Sequence, residues 1–354
     1  MITFNSYTQE AIDRLGITEF TQIQQEVIPH IFNHEDLYAI SPTGSGKTYT
    51  YLLPLLDKLV LQGKGKHFCK VLILAPTREF SIQITHVIRD LLKNREGIRT
   101  SLLTGGYDIQ KQIKSNKNGA DIIVGTPSRV SDHLRRHTIK PKLLQTVVID
   151  EVDMMLEMGF EEDVKECLSY LPSHQTLLFS ATETNKTEAL SKQLLNEPFI
   201  CKVKEETYLK QDTDIQLVTV NEDKKIDVLE KLLKNSKQTI VFCNTKKTCD
   251  FLTELLIKRN YSINTIHSDM DYSKRKNIME EFRNGTLHVL CATDVASRGI
   301  DIPSVDTVIL YDLPDTKEQL IHKIGRTSRA RTKGKAFIFV NQKQSKMYDF
   351  KHLF

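Results

Sequence analysis

One stretch decides the fold: Leu37-Tyr38-Ala39-Ile40-Ser41-Pro42-Thr43-Gly44-Ser45-Gly46-Lys47-Thr48. It reads as an apolar strand, a glycine-rich loop and the start of a helix, which is the context that a phosphate-binding loop requires. Gly44 and Gly46 allow backbone N–H groups to turn toward phosphate oxygens, and the helix adds its positive N-terminus. We expect residues 41–48 to bind a nucleotide, with Lys47 at the β- and γ-phosphates and the Thr48 hydroxyl on Mg²⁺. A plain glycine-rich turn is the alternative, and the Gly-Lys-Thr ending in this context argues against it.

Two adjacent carboxylates follow a second apolar stretch. Val147-Val148-Ile149 reads as a buried strand and runs into Asp150-Glu151-Val152-Asp153. A phosphate-binding loop needs a metal-holding carboxylate at the end of a neighbouring strand. We therefore expect Asp150 to hold Mg²⁺ through water and Glu151 to polarise the water that attacks the phosphate. Without the phosphate loop, the same two acids would be more typical of a solvated turn.

Short apolar runs alternate with amphipathic stretches in both halves of the chain. The runs are residues 71–75, 122–124, 147–149 and 176–179, and then 215–220, 239–242, 289–292, 308–310 and 336–340. Helical patterns such as 82–92 lie between them. Strands that are apolar throughout and separated by helices are typical of a parallel sheet covered on both faces. We predict an α/β fold with two domains, residues 1–205 and 215–354, each a mainly parallel sheet flanked by helices, joined by a polar linker at 206–214.

The composition is that of an ordinary globular protein, with 40% hydrophobic and 27% charged residues among 354. No apolar run approaches the ~20 residues of a membrane helix. The start, Met1-Ile2-Thr3-Phe4-Asn5, has no signal-peptide character, so we expect a cytoplasmic protein without membrane contact. The six cysteines show neither a C-x-x-C pair nor zinc-ligand spacing, which favours reduced structural thiols.

The charge is unevenly distributed along the chain. Residues 315–354 carry ten Lys and Arg against three Asp and Glu, a net of +7, which leaves −3 for residues 1–314 out of the total of +4. A basic end fits a phosphate-bearing partner, and a solvated surface explains it equally well.

The motifs, in their order, resemble the DEAD-box RNA helicases of superfamily two, particularly the bacterial members, from about Gly16 to Gly334. The resemblance implies two RecA-like domains in tandem. Gln24 lies in a stretch similar to the adenine-reading Q motif, and a glutamine amide is complementary to N6 and N7 of adenine. Ser180-Ala181-Thr182 is similar to the motif that couples hydrolysis to strand separation, which implies coupling roles for Ser180 and Thr182. The implied RNA contacts of the first domain are Pro76, Thr77, Arg78, Gly105, Gly106, Thr126, Pro127 and Arg129.

The second half carries further motifs of the same family. The segment Ala292-Thr293-Asp294-Val295-Ala296-Ser297-Arg298-Gly299-Ile300-Asp301 matches a family signature without a break, and residues 322–330 are similar to the arginine-finger motif. The resemblance implies RNA contacts for Thr245 and Thr293, and contacts of Gly299 and Asp301 with the ATP ribose. It also implies a link between the domains through His322.

Arg326 and Arg329 would be the arginine fingers of this motif. Their planar guanidinium groups suit phosphate oxygens, and such groups are worth roughly 10³ to 10⁵ in rate in other phosphoryl-transfer enzymes. They lie in the second predicted domain, so they would complete the ATP site only when the two domains close.

The sequence departs from the family pattern at several positions near the expected sites. Ile17 replaces an aromatic residue near the adenine, and Phe20 replaces a common proline. Small residues are exchanged at four more positions, namely Ser41, Ser128, Val152 and Ser328. None of these changes removes a catalytic atom, so they bear on affinity more than on activity.

The sequence thus predicts an ATP-dependent RNA helicase that uses ATP and Mg²⁺ and works as a monomeric core with unspecified protein partners. ATP and RNA would bind across the cleft between the domains, and hydrolysis would reset the open state. With 7% aromatic residues and no Trp, we expect backbone recognition of RNA with little sequence specificity. One alternative is a DNA translocase, against which the unbroken signature and Gln24 argue. The other is a non-hydrolysing RNA clamp, against which the intact Lys47, Asp150 and Glu151 argue.

Overall fold

The computed structural model describes residues 2–42, 44–61, 67–93, 97–203, 213–267, 269–293, 305–314, 317–327 and 334–347. The chain divides into two compact units, Met1–Lys204 and Glu205–Phe354. Each unit has its own sheet, with a hydrophobic core on each face.

The first unit is built on a seven-stranded sheet in which every pairing is parallel. Its strands are β1 (Leu37–Ile40), β2 (Val71–Leu74), β3 (Thr100–Leu103), β4 (Ile122–Gly125), β5 (Thr146–Ile149), β6 (Gln175–Ser180) and β7 (Phe199–Lys202). Their order across the sheet is β3-β4-β2-β5-β6-β1-β7.

Nine helices of the described residues flank this sheet. They are α1 (Ser6–Arg14), α2 (Gln22–Phe32), α3 (Lys47–Leu61), α4 (Arg78–Leu91), α5 (Ile109–Ser115), α6 (Pro127–Arg135), α7 (Val152–Glu157), α8 (Glu161–Ser169) and α9 (Asn185–Leu194). Alternate residues of β1 enter two different cores, Leu37 and Ala39 on one face, Tyr38 and Ile40 on the other. A strand buried on both faces must be apolar throughout, which is the pattern of residues 37–40.

The second unit repeats this design with a six-stranded sheet in which the pairings are again parallel. Its strands are β8 (Thr213–Thr219), β9 (Thr239–Cys243), β10 (Ile263–Ile266), β11 (Val289–Thr293), β12 (Thr307–Leu310) and β13 (Gly334–Val340), in the order β10-β11-β9-β12-β13-β8. The helices described here are α10 (Lys225–Leu233), α11 (Lys246–Lys258), α12 (Tyr272–Arg283), α13 (Lys317–Ile324) and α14 (Gln342–Met347), preceded by a 3-10 turn at Glu222–Lys224. Two cores again lie on the two faces of the sheet.

The predicted fold class is confirmed, and the differences lie at the ends of elements. The helix predicted at 82–92 begins at Arg78, because the Thr77 side chain accepts a hydrogen bond from the Phe80 backbone and caps the helix four residues earlier. Strand β8 begins at Thr213, so the last two residues of the predicted linker belong to a strand. The remainder of that linker lies outside the described residues, and the domain limits 1–205 and 215–354 stay predictions.

Two further features concern the chain as a whole. All six cysteines are buried and none forms a disulfide. Within the described ranges, no helix combines the length and the apolar character needed to cross a membrane.

Candidate functional site

The glycine-rich loop wraps around the lysine that follows it. Gly44 and Gly46 have φ values of 84° and 97°, in the left-handed region that favours glycine. The Lys47 side chain is only 5% exposed, and its Nζ donates to the Ser41 carbonyl at 2.9 Å. The Ser41 and Ser45 hydroxyls also hydrogen-bond each other across the loop. Thr43, the remaining predicted member, lies outside the described residues.

Gln24 ties helix α2 to the loop. Its Oε1 accepts from the Thr21 backbone N–H at 2.9 Å, and its Nε2 donates to the Gly46 carbonyl at 3.3 Å. A carboxamide oxygen has a second lone pair and the nitrogen a second hydrogen, so one donor and one acceptor position remain for an adenine edge. A Cβ atom at Gly46 would lie 2.6 Å from Gln24 Nε2, so a larger residue at 46 would displace the Gln24 amide.

Lys47 is paired with one of the two predicted catalytic acids. Its Nζ lies 3.2 Å from Glu151 Oε1, and both side chains are almost fully buried. Glu151 adopts φ 55° and ψ 52°, a left-handed conformation that costs energy for a residue with a Cβ. It stands between the end of β5 and the start of α7, so the conformation turns its carboxylate back toward the loop lysine.

Asp150 is buried at the carboxyl end of β5 and is held by a tyrosine. Tyr51 donates its hydroxyl to Asp150 Oδ2 at 2.8 Å, and the Glu151 backbone N–H donates to Asp150 Oδ1 at 3.0 Å. Burial, with the neighbouring Glu151 charge as a second cause, raises the pKa of Asp150 to about 7. Such a carboxylate is poised to accept compensating positive charge.

The donor set at this place suits a hard divalent cation. Tyr51 links the two predicted Mg²⁺ ligands, because its hydroxyl donates to Asp150 Oδ2 at 2.8 Å and it lies three residues after Thr48 in α3. Carboxylate and hydroxyl oxygens are ligands that Mg²⁺ accepts, usually with several waters retained. The residues present therefore fit the ion.

The last acid of the 150–153 motif is joined to the predicted coupling motif. Asp153 Oδ2 accepts from the Thr182 backbone N–H at 3.0 Å and from its hydroxyl at 2.8 Å. The Ser180 hydroxyl donates to the Thr182 carbonyl at 2.7 Å, and the Ser180 carbonyl accepts from the Ser41 backbone N–H at 3.0 Å. The strand end of β6 therefore contacts both the phosphate loop and the acidic motif.

The predicted RNA residues of the first unit gather where β2, β3 and β4 end. These strands are adjacent in the order β3-β4-β2, so the loops that follow them share one edge of the sheet. The Arg78 guanidinium lies 3.8 Å from the centre of the Tyr107 ring, a cation–π contact. The turn at Gly106, with φ 78°, is tight enough that a Cβ there would lie 2.7 Å from Arg78 Nη1.

Arg129 is anchored beside this pair from helix α6. Thr126 is the N-cap of that helix and Pro127 is its first residue, which a fixed proline φ suits. Arg129 Nη1 donates to the Tyr107 carbonyl at 3.0 Å and to Gln112 Oε1 at 2.9 Å. The motifs of residues 76–78, 105–106 and 126–129 thus form one cluster.

Gln112 connects this cluster to the interior. Its Nε2 donates to the Thr104 carbonyl at 2.9 Å, and its Oε1 also accepts from His133 Nε2 at 3.1 Å. His133 Nδ1 lies 2.7 Å from Thr138 Oγ1. Burial, with the Arg129 charge as a second cause, lowers the pKa of His133, so the imidazole is neutral at pH 7.

The second unit shows fewer of the predicted residues. Thr245 caps α11 by accepting from the Thr248 backbone N–H at 3.1 Å, and Thr293 is buried at the end of β11, next to β9 in the sheet. Arg326 follows α13, and its carbonyl accepts from the Val305 backbone N–H at 3.2 Å. Gly299, Asp301, Ser328, Arg329 and the side chain of His322 lie outside the described residues.

The residues that depart from the family pattern either pack into a core or form a hydrogen bond. Val152 is fully buried in one core of the first unit, and Ile17 and Phe20 pack against the other. The Ser128 hydroxyl donates to Asp163 Oδ2 at 3.0 Å, an anchor that a glycine would lack.

Sequence reasoning missed four residues with evident partners here. Tyr51 and Gln112 look like ordinary helix residues, and only the folded chain shows that they hold Asp150 and Arg129. Asp153 belongs to the motif of residues 150–153, but its residue type and position assign it no role. Tyr107 is 45% exposed beside the two glycines, and an aromatic residue in a predicted RNA loop was a usable signal.

Comparisons with known proteins match both units. A family model described as DEAD/DEAH box helicase matches residues 21–190, and one described as helicase conserved C-terminal domain matches residues 224–331. The chain is 40% identical over 339 residues to the DEAD-box ATP-dependent RNA helicase CshA of Bacillus cereus, covering 95% of this chain and 64% of that protein. It is 38% identical to CshA of Bacillus subtilis, covering 98% of this chain and 71% of that protein. The chain therefore spans about two thirds of the length of these relatives.

Solved structures show the same architecture. Dbp5 of S. cerevisiae, bound to RNA and ADP BeF3, is 28% identical with a TM-score of 0.86, covering 99% of this chain and 90% of that one. A DEAD box protein from the hyperthermophile Methanococcus jannaschii is 35% identical with a TM-score of 0.57, covering 99% and 94%.

Proposed function

The chain belongs to the DEAD-box ATP-dependent RNA helicase family, and we propose that it hydrolyses ATP in response to RNA and thereby separates short RNA duplexes. ATP and Mg²⁺ are the ligands of the proposed site, and RNA is the proposed partner. The six buried, unpaired cysteines fit the reducing cytoplasm that we propose as its location. A monomeric core and the domain limits 1–205 and 215–354 are part of the same proposal.

One observation carries the proposal of hydrolysis: the contact between the loop lysine and the second acid. Lys47 Nζ lies between the Ser41 carbonyl at 2.9 Å and Glu151 Oε1 at 3.2 Å, at the carboxyl ends of β1 and β5. A cation held there is placed to exchange these oxygens for phosphate oxygens. The same contact brings a carboxylate to the place where a water attacking the terminal phosphate would need a base.

The proposed roles follow from these positions. Lys47 and the backbone of residues 41–46 bind the phosphates, and Gln24 reads the adenine edge with its remaining donor and acceptor positions. Glu151 accepts the proton of the attacking water. Thr48 and Asp150 hold Mg²⁺, which would neutralise phosphate charge when bound.

The link from hydrolysis to RNA is proposed to run through the Asp153–Thr182 contact. Asp153 shares its segment with the catalytic acids, and Thr182 follows β6, whose last residue contacts the phosphate loop. A change in the bound phosphates would thus be transmitted to residues 180–182 through two hydrogen-bonded contacts rather than through the solvent.

RNA is proposed to bind at the loops that follow β2, β3 and β4. Arg78 and Arg129 supply positive charge, the hydroxyls and backbone N–H groups of residues 76–77 and 126–127 suit phosphates, and Tyr107 offers one stacking face. Thr245 and Thr293 are proposed as the contacts of the second unit. The roles of Gly299, Asp301, His322, Arg326 and Arg329 rest on the family resemblance.

The deciding experiment compares ATP hydrolysis with single-stranded RNA and with DNA of the same sequence. We expect strong stimulation by RNA, weak stimulation by DNA, and ATP-dependent release of a short strand from an RNA duplex. Lys47→Ala should abolish hydrolysis, whereas Lys111→Ala, an exposed lysine elsewhere in the first unit, should not. Equal stimulation by DNA would support the translocase, and ATP-dependent RNA retention without hydrolysis would support the clamp.

A further inference from the structure

A cavity of about 860 Å³ lies in the first unit, at the amino ends of three strands. Residues 67–69 lead into β2, Arg99 precedes β3, and Gly119 and Ala120 precede β4. The phosphate-binding loop and the proposed RNA loops follow the carboxyl ends of their strands. Because all these strands are parallel, the cavity occupies the opposite edge of the sheet and is a separate place from the site described above.

The rim of the cavity is cationic. Arg99, Lys114, Lys117 and Lys140 line it together with two histidines, and no Asp or Glu is among its sixteen described lining residues. The three lysines are exposed, and none forms an ion pair with any residue that the structure describes. Neighbouring cations without a counter-charge repel one another, so an anion bound between them would be stabilised.

The acidic residue next to the cavity, Asp121, already has ion-pair and hydrogen-bond partners. Asp121 follows the lining residue Ala120, and its Oδ2 lies 2.6 Å from His67 Nδ1 while its Oδ1 lies 3.6 Å from Lys70 Nζ. The Arg99 backbone N–H also donates to Asp121 Oδ2 at 2.9 Å. The Asp121 carboxylate therefore already has partners near the strand ends and does not neutralise the rim lysines, which remain able to bind another anion.

The inner wall is apolar and carries one buried amide. Phe68, Ile113, Ile123 and Ile139 contribute hydrocarbon surface, which a purely inorganic anion would not use. Asn116 is 6% exposed, and within the described residues its Oδ1 has no hydrogen-bond partner. An unpaired buried amide oxygen is costly, and a donor on a bound molecule would remove that cost.

The wall is fixed by a close backbone approach. Gly119 has φ +75°, and a Cβ there would lie 2.0 Å from the His67 carbonyl oxygen, so only glycine lets the 116–119 turn pass residue 67. The Gly119 backbone N–H donates to the Asn116 carbonyl at 2.9 Å and closes that turn. This turn and its close approach to residue 67 thus fix one wall of the cavity, and ligand sites are usually largely preformed.

We propose that this cavity binds a nucleoside phosphate, with the phosphate on the rim lysines and the base against Phe68 and the Asn116 amide. The cavity has the volume of sites for organic ligands, far more than one phosphate fills. An anion with a flat ring uses the cationic rim, the apolar wall and the amide together. The site does not depend on the proposed ATP hydrolysis, because none of its residues belongs to that machinery.

The test is titration calorimetry of the full chain with AMP, GMP and inorganic pyrophosphate. We expect one of the nucleotides to bind more tightly than pyrophosphate by about fivefold or more, because base stacking adds to the phosphate contacts. In the double variant Lys117→Glu with Lys140→Glu, nucleotide affinity should fall about fivefold or more. The double variant Lys111→Glu with Lys142→Glu makes the same charge change at exposed lysines outside the cavity and should bind as the wild type does.

A third arm separates this cavity from the phosphate-binding loop. Lys47→Ala should leave GMP binding unchanged, because Gln24 at the phosphate-binding loop is complementary to adenine, and Asn116→Asp, which places a negative charge in the cavity, should abolish it. Nucleotide binding that disappears in Lys47→Ala and survives in the Lys117→Glu, Lys140→Glu variant would overturn the proposal. Equal affinity for pyrophosphate, or displacement of the nucleotide by single-stranded RNA, would also overturn it.

Discussion

Lys47 and Glu151 form a buried ion pair, with Nζ 3.2 Å from Oε1, between a loop that follows β1 and a strand end at β5. Pairs of this kind are sensitive to the loss of either partner, because the remaining charge stays buried. The Ser41 carbonyl provides a second partner for the lysine at 2.9 Å, so Lys47 stays satisfied when Glu151 is neutralised.

Glu151→Gln therefore tests catalysis without collapsing the loop. We expect kcat to fall by ~10² to 10⁴, the usual contribution of a general base, while ATP binds at least as well as before. Steady-state hydrolysis and binding of a fluorescent ATP analogue measure the two effects. Glu157→Gln, the same change at an exposed position of α7, is the control, and near-normal turnover in Glu151→Gln would reject Glu151 as the base.

Thr182→Val tests the link between hydrolysis and RNA. The change keeps the side-chain shape and removes the hydroxyl that donates to Asp153 Oδ2 at 2.8 Å. Hydrogen bonds to charged groups are worth about 1.5–3 kcal/mol, so we expect strand separation to fall about tenfold or more while RNA-stimulated hydrolysis changes little. Parallel losses in both assays would make the contact merely structural.

Gly46→Ala tests the contact between the loop and Gln24. Alanine would combine a strained φ of 97° with a Cβ 2.6 Å from Gln24 Nε2. We expect ATP affinity to fall about tenfold or more, since backbone strain of this kind costs about 1–3 kcal/mol. Gly159→Ala has φ +79° and no atom within 4 Å of its Cβ, so it imposes a similar strain without the clash. An equal loss of ATP affinity in Gly159→Ala would show that the effect is not specific to the glycine-rich loop and its contact with Gln24.

Arg326→Ala tests the role implied for the second unit. By the resemblance it should lower RNA-stimulated hydrolysis by roughly 10³ to 10⁵ and leave ATP binding intact. Hydrolysis and equilibrium ATP binding of the full chain distinguish these effects, with Lys335→Ala at an exposed position of β13 as the control. Hydrolysis within a few-fold of the wild type would remove Arg326 from the catalytic group.

His133 gives the first unit a dependence on pH. Its pKa is lowered in the folded chain, chiefly by burial, below the 6.5 of an ordinary histidine. The neutral imidazole therefore stabilises the fold above pH 6.5, and this stability is lost as the pH falls through the lower folded value. Thermal unfolding of the wild type should be more acid-sensitive than that of His133→Gln as the pH falls below about 6.5. Identical pH profiles would contradict this assignment.

The fold and the conformation of the glycine-rich loop were predictable because they rest on local signals. Apolar runs of four residues indicate burial on both faces of a sheet. A Gly-Lys-Thr ending between strand and helix is typical of a phosphate-binding loop. The carboxylates could be placed because the ends of parallel strands meet at one edge. These inferences use spacing and residue type alone.

The remaining contacts depend on tertiary packing between distant segments. Tyr51 holds Asp150 across 99 positions of sequence, and its own helix pattern marks it only as a core residue. Asp153 meets Thr182 across 29 positions, and each could have faced solvent in another fold. The left-handed conformation of Glu151 is likewise invisible in a segment that contains no glycine.

The hydrogen-bonded group around Gln112 has a consequence for the evolution of this chain. Its amide oxygen accepts from both Arg129 and His133, and its amide nitrogen donates to the Thr104 carbonyl, so the side chain has no spare acceptor position. A glutamate would lose the donor, and an asparagine would be one methylene too short to span the same partners. Substitutions at 112, 129 and 133 are therefore expected to be inherited as sets among relatives, with an acceptable change at one position conditional on the residues at the other two.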